Sequence, residues 1–329
     1  VLESDGTVTR EGFVASVSCE STVYLWDGTA WSTNPNGAIT ASDNLYVNSG
    51  GAPALSTDIS ANSIFVDSDA ALDIEPSASL SLSNDMINYG TITFNSDASG
   101  SAQLDAFTGS ITGSGDVTVE RFIPAGDNNR RAYRFLASPV TTSNSIRMNW
   151  QEGASSNTDD PNPGFGTHIS GSTTDGMNGF DGTGTGEPSL LIFDNATQTW
   201  GPISNTDVNT LEAGNAYNLF VRGDRSIDLT ATPVNTPTNT TLRATGTLNK
   251  PAGGVDLSAK LATGASQWSM LGNPYQAIVD FKNLSISGGV NANNLYVWKP
   301  NAATIGAYEA IDNLSPQIIQ PGQSFFVQN

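Results

Sequence analysis

Catalysis and metal binding need nucleophiles, bases or ligands at close range, and this 329-residue chain is poor in all of them. His168 is its single histidine and Cys19 its single cysteine. One imidazole rules out a zinc site built on two histidines, and one thiol rules out an internal disulfide or a cysteine-based metal site. A Ser-His-Asp triad would have to use His168, which sits in the string GFGTHISG (164–171) with no nucleophile-elbow sequence anywhere in the chain. His168 is therefore expected to be a loop histidine that hydrogen-bonds locally, and Cys19 a tolerated or buried thiol, with an interchain bridge as its other use.

Paired carboxylates are the remaining route to an enzyme, because glycoside hydrolysis needs only two of them across a bond. Glu75, Glu120, Glu152, Glu187, Glu212 and Glu309 are scattered singly, so the chain is read as non-enzymatic. Calcium takes six to eight oxygens from carboxylates and carbonyls in loops. Asp159, Asp160, Asp175 and Asp181 are its candidate ligands, although no EF-hand or nonapeptide repeat frames them. The alternative for these aspartates is solvated turn formers. Arg121, Arg130, Arg131 and Arg134 are the one basic cluster, expected to meet internal carboxylates or carbonyls, or else an anionic ligand. Arg222-Gly223-Asp224 in FVRGDRS is explained by a turn at Gly223. Trp26, Trp31, Trp150, Trp200, Trp268 and Trp298 are spread singly, which suits core positions; two or three together would make a face for sugar rings.

These residues must be carried by strands. Apolar alternation recurs at 45–47, 64–66, 72–74, 80–82, 92–94, 102–104 and 117–119, the mark of strands with one buried face. The runs recur at roughly 8–12 residues, a spacing shared by sandwiches and solenoids. The segments between them are too rich in Ser and Gly for helices, and Asn-Gly hairpin turns are sparse. An N-terminal β-solenoid, parallel β-helix-like, is predicted for 1–124, preceded by a short N-terminal strand region; a hairpin-based sandwich is the alternative. The string NYGTITFNSDASG (88–100) reads as one coil.

Turn formers at 124–129 mark a boundary, after which 125–329 is expected to be a β-sandwich or jelly-roll-like domain. Its strands are placed at 132–136, 189–193, 216–221, 226–230, 241–246, 268–271, 295–298 and 324–327, with short helical turns near 143–150 and 276–282. Residues 157–188, rich in Gly, Asp and Thr, form a long ordered loop or a mobile insertion.

With 32 acidic and 13 basic residues the formal charge is -19, which repels nucleic acid and anionic lipid. Only 14% of the residues are charged, and Ser, Thr, Asn and Gly supply most of the polar surface, a balance that suits an exported β-protein. No apolar run of about 18 residues could span a membrane. The chain starts at Val1 without a basic and apolar leader and is expected to be a processed chain or a segment of a longer one.

The strings YLWDGTAWSTNPNGAITASDNLYVNSG (24–50), GSGDVTVERFIP (113–124), RAYRFLASPV (131–140), NWQEG (149–153), GFGTHISG, YNLFVRGDRS (217–226), LGNPYQAIVDF (271–281) and PGQSFFV (321–327) resemble the repeat-bearing secreted proteins of Bacteroidetes. The resemblance covers most of the chain. It implies export by the type IX secretion system, a cell-surface or extracellular location and an adhesin-like role, and it carries over no catalytic residue. No sorting domain is recognised before Asn329, in keeping with a portion of a longer polypeptide. The expected function is a non-enzymatic structural or adhesive module of a surface adhesin or extracellular fibre; the alternative is a carbohydrate-binding module of an exported polysaccharide-acting protein. Expected partners are other chains of a surface assembly, further copies of the same chain, or a cell-surface or glycan target. No cofactor is expected other than the candidate calcium.

Overall fold

In the N-terminal third the alternating runs stack rather than fold back as hairpins. The computed structural model describes residues 7–10, 13–16, 22–125, 131–231, 236–252, 254–286, 289–302 and 306–329; Cys19, Arg130 and residues 126–129 of the turn cluster lie outside them. The chain is all-β, and its N-terminal part is a parallel β-solenoid of about five turns, as the alternation predicts.

The solenoid has three faces. The first stacks Val23–Trp26, Asn44–Val47, Ser63–Val66, Met86–Asn88 and Ile111–Thr112, all parallel. The second stacks Ala54–Leu55, Ala71–Ile74, Thr91–Phe94 and Asp116–Ile123. The third stacks Ile59–Ala61, Ser79–Leu82 and Gln103–Leu104. The column Leu45, Ile64, Met86 and Ile111 steps by roughly 20 residues, the period of a solenoid coil. The shorter spacing seen in the sequence is the distance between faces. The string 88–100 accordingly spans only part of a coil: the end of a first-face strand, Thr91–Phe94 and a small hairpin of Ser96–Asp97 with Gly100–Ser101.

Strand alternation turns Leu45, Ile64, Met86, Leu72, Ile92, Ile59, Leu80 and Leu104 inward, where none is more than 1% exposed. Each such side chain contributes about 1.5–3 kcal/mol by leaving water. Corners are held by polar stacking. Asn62 Nδ2 donates to Asn44 Oδ1 at 2.9 Å, and Asn84 Nδ2 donates to Asn62 Oδ1 at 2.7 Å, so successive coils are tied by an asparagine ladder. At another corner a Cβ on Gly90 would lie 2.1 Å from the Ala70 carbonyl oxygen, and only glycine lets the coils approach that closely.

The rest of the chain closes the solenoid's last coil. Thr240–Leu248 pairs antiparallel with Asp116–Ile123 from Val117–Gly246 to Ile123–Thr240, which removes the open edge of the second face. The Leu104 amide donates to the Gln276 carbonyl, and Gln276 Nε2 donates back to the Ala102 carbonyl, which closes the third face. Lys250 Nζ binds the carbonyl oxygens of Thr108 and Gly109 beside the first face. A single buried apolar cluster runs from Leu45 and Leu72 through Val119 to Leu136, Val140, Ile146, Trp150, Leu219 and Leu242. Terminal coils of a solenoid need such caps because each coil buries its stripe only against a neighbour.

Beyond this cap stand two four-stranded antiparallel sheets. One runs Ala132–Ala137, Ala216–Val221, Leu190–Asp194, Thr199–Pro202; the other runs Trp268–Gly272, Ser324–Gln328, Asn294–Lys299, Ala307–Asp312. Phe135, Met270 and Phe326 join them in one buried cluster. Helical structure near 143–150 is the short helix Ile146–Trp150, capped by the Ser145 hydroxyl. The strand expected at 226–230 is instead a pair of turns. Asp224 Oδ1 accepts from Ser226 N and Oγ, and Asp228 Oδ1 accepts from Thr230 N and Oγ1, so side chains take the bonds a ladder would have used.

Candidate binding site

The two sheets meet at the tip of the hairpin formed by Leu190–Asp194 and Thr199–Pro202. Its turn is closed by Asp194 Oδ1, which accepts from the amides of Ala196 and Thr197. Asn195 and Gln198 then act as a substitute strand along the edge of Trp268–Gly272. Asn195 accepts from Met270 N at 2.8 Å and donates to Met270 O at 3.2 Å. Gln198 accepts from Trp268 N at 2.7 Å and donates to Trp268 O at 2.8 Å. Four hydrogen bonds from side-chain amides therefore fix Phe193 and Trp200 opposite Trp268.

The hairpin of Asn294–Lys299 and Ala307–Asp312 supplies the other wall, with Trp298 directly across from Tyr308 in its register. A Cβ on Gly306 would lie 2.3 Å from Trp298 Cζ2, so the indole has its place only because that position is glycine. The result is a cavity of about 400 Å³ lined by Phe193, Trp200, Trp268, Tyr296, Tyr308 and Phe326. Trp268 and Tyr296 meet edge to face at 4.7 Å, Phe193 and Trp200 at 5.2 Å, and Trp298 and Tyr308 at 5.1 Å, with Phe326 buried beneath. Such edge-to-face contacts are favourable and help to hold the rings in place. Trp200 is 37% exposed and Tyr308 54%.

The polar ends of these rings are unspent. Trp298 Nε1 is buried and has no hydrogen-bond partner among the described residues. The Nε1 groups of Trp200 and Trp268 and the hydroxyls of Tyr296 and Tyr308 make no hydrogen bond among the described residues. Burial pushes the Tyr308 hydroxyl above its ordinary pKa. The remaining tryptophans behave differently: Trp26 donates to the Gly50 carbonyl and packs on Trp31, and Trp150 lies in the core against Tyr217.

The Gly- and Asp-rich segment 157–188 is organised around a cation of the chain's own. Arg225, with a fully buried side chain, donates to the carbonyls of Ser156, Asp159 and Thr167 and to both carboxylate oxygens of Asp181. Asp181 also accepts from Gln151 Nε2 and the Ile169 amide. Burial alone would raise its pKa, but His168 and Arg225 together hold the carboxyl below its ordinary value.

Of the four candidate calcium ligands, Asp181 is thus engaged by a guanidinium. Asp159 accepts from Ser155 N and Oγ, and Asp175 accepts from the amides of Asn157 and Gly182. Asp160 is pushed up by burial and by the neighbouring Asp224. No group of three or more His, Cys, Asp or Glu residues among the described residues could hold a metal ion. His168 is fully buried, with Nε2 3.1 Å from the Arg225 carbonyl and Nδ1 3.4 Å from Asp181 Oδ1. Its bonding is to a residue far along the chain rather than local.

The cluster Arg121, Arg131 and Arg134 forms no ion pair among the described residues; burial lowers all three pKa values, and Arg134 reaches the Tyr133 carbonyl at 3.4 Å. Carboxylates are met instead by Arg147, Arg225 and Arg243. Gly223 and Asp224 are buried, so Arg222-Gly223-Asp224 is not presented as a loop. On the solenoid's second face, burial raises the pKa of Asp73 and of Glu120, whose carboxylate accepts from the Ser96 amide and lies near Arg243.

Sequence reasoning missed the gathering of Trp200, Trp268 and Trp298 with their partners, because the contacts join strands far apart in the chain. The one local signal was aromatic density in the strands at 296–298 and 325–326. No family model matches the chain, and neither a curated protein nor a solved structure matches it.

Proposed function

We propose that this chain is a non-enzymatic, exported module of a larger surface adhesin or fibre, with the solenoid as a stiff spacer and the aromatic basin as its contact surface. The observation that carries this reading is the basin itself, where Trp200 and Tyr308 remain open to solvent beside four other rings. Apolar area left in water forfeits roughly 25 cal/mol per Å², and clustered exposed rings mark interaction sites. The spacer role is supported by the unbroken core between solenoid and cap, which leaves no hinge between the stacked coils and the strands that close them. Export suits the acidic, Ser- and Thr-rich surface.

The test is adhesion of beads coated with the full chain to cell and polysaccharide surfaces, compared with beads carrying a Trp200→Ala, Tyr308→Ala double variant of unchanged melting temperature. Most of the adhesion is expected to be lost. Full adhesion by the folded double variant would overturn the reading. So would polysaccharide turnover that a single carboxylate substitution such as Glu120→Gln abolishes.

A further inference from the structure

We infer that the basin takes a neutral carbohydrate built of pyranose rings with equatorial hydroxyls, an inference that rests on the basin being the contact surface. The lining is Phe193, Trp200, Trp268, Tyr296, Tyr308 and Phe326, without a charged side chain. A ligand carrying a phosphate, sulfate or carboxylate would leave that group unpaired there, against a chain of formal charge -19. A nucleobase could stack, but its phosphate backbone is excluded on the same ground.

Two small-ligand chemistries suit a box of rings: a quaternary ammonium, held by ring quadrupoles, and a sugar, held by its C–H faces. They differ in what they do with the polar ends of the rings. The Nε1 groups of Trp200 and Trp268 and the hydroxyls of Tyr296 and Tyr308 have no partner among the described residues. A trimethylammonium group offers them nothing and desolvates them. A pyranose offers hydroxyls around its rim that accept from indole N–H and both donate to and accept from phenols. When equatorial, those hydroxyls leave the ring faces apolar for stacking.

The volume of about 400 Å³ falls within the range of small-ligand sites and suits a short stretch of a glycan. The amide clamp of Asn195 and Gln198 holds the Trp200 wall in place before binding. Little ordering is therefore left for the ligand to impose.

The experiment is calorimetric and tryptophan-fluorescence titration of the full chain with cellohexaose, chitohexaose and choline, followed by competition in the bead assay. One of the two oligosaccharides is expected to bind and to shift the fluorescence. Trp200→Ala should weaken it about tenfold or more, and Trp200→Phe by less. The same oligosaccharide should inhibit adhesion.

Binding of choline alone, binding of none of the three, or oligosaccharide binding unchanged in the folded Trp200→Ala, Tyr308→Ala variant would each overturn the inference. If that variant loses adhesion while neither oligosaccharide binds, the ligand class is wrong and the adhesive reading survives. If the oligosaccharide binds the basin without competing for adhesion, the glycan site survives and the adhesive reading fails.

Discussion

Replacing Asp181 by Asn keeps the shape of the side chain and removes its charge, and the structure puts that carboxylate where the change is felt most. Arg225 Nη2 lies 2.7 Å from Oδ1 and Nη1 3.1 Å from Oδ2, in a site where the guanidinium side chain is fully buried and the carboxylate 3% exposed. Oδ2 also accepts from the Ile169 amide at 2.9 Å and from Gln151 Nε2 at 3.1 Å. An amide NH₂ in place of either oxygen sets donor against donor and leaves a buried cation without its counter-charge. Breaking one partner of a buried pair costs about 3–5 kcal/mol. At about 2.1 cal/mol/K of unfolding entropy per residue, a chain of this length loses about 1.5 °C per kcal/mol, so the melting temperature should fall by roughly 4–7 °C.

The pH dependence gives a second reading of the same pair. Asp181 has a folded pKa held below its unfolded value, so its stabilisation is present above the unfolded carboxylate pKa of about 3.9 and is lost as pH falls through the lower folded value. Calorimetry from pH 7 down to pH 2 should therefore show the Asp181→Asn chain less stable at pH 7 and converging on the unmodified chain only in the most acidic samples. A variant within 1 kcal/mol of the unmodified chain at pH 7 would refute the view that this ion pair organises the 157–188 segment.

Three further outcomes follow from named contacts. Asn62→Ala removes both rungs of the asparagine ladder and should cost about 1–3 kcal/mol in denaturant unfolding, whereas a change at one exposed corner residue such as Thr57→Ala should cost almost nothing. Asn195→Ala orphans the Met270 amide at the sheet edge, so the expected result is about 1–2 kcal/mol of lost stability together with faster acrylamide quenching of tryptophan fluorescence as the basin loosens. Excess chelator should leave the melting temperature unchanged, because the positive charge at the centre of the acidic loops is Arg225; a drop of several degrees would restore calcium to the Asp159, Asp160, Asp175 and Asp181 region.

Strand alternation is a local property, and for that reason the all-β class and the solenoid could be read from the chain before any contact was known. Leu72-Asp73-Ile74 and Ile92-Thr93-Phe94 each declare one inward face by themselves, and stacking them in parallel buries both. The coil length was not legible, since the corner residues that separate faces look alike whether a strand continues the turn or begins the next. The short strand Ala54–Leu55 and the third-face strand Ile59–Ala61 are too brief to show a period. The turns at 226–230 were misread because Ile227 and Leu229 imitate alternation while the bonds are made by Asp224 and Asp228.

Composition also determined that neither a two-histidine zinc site nor an internal disulfide can form within the chain: one imidazole and one thiol are counts, independent of folding. Position was decided only in three dimensions. Arg225 follows the Arg222-Gly223-Asp224 string with no local sign of a role, and it is the buried centre of a loop supplied mostly by residues 156–181. Trp200 and Trp268 looked like separate core residues, yet two sheets bring them to one basin, with Trp298 packed behind its Tyr308 wall. Which faces of those sheets meet depends on the amide clamp from Asn195 and Gln198 to the edge of Trp268–Gly272, a contact some 70 residues long in sequence that no local pattern encodes.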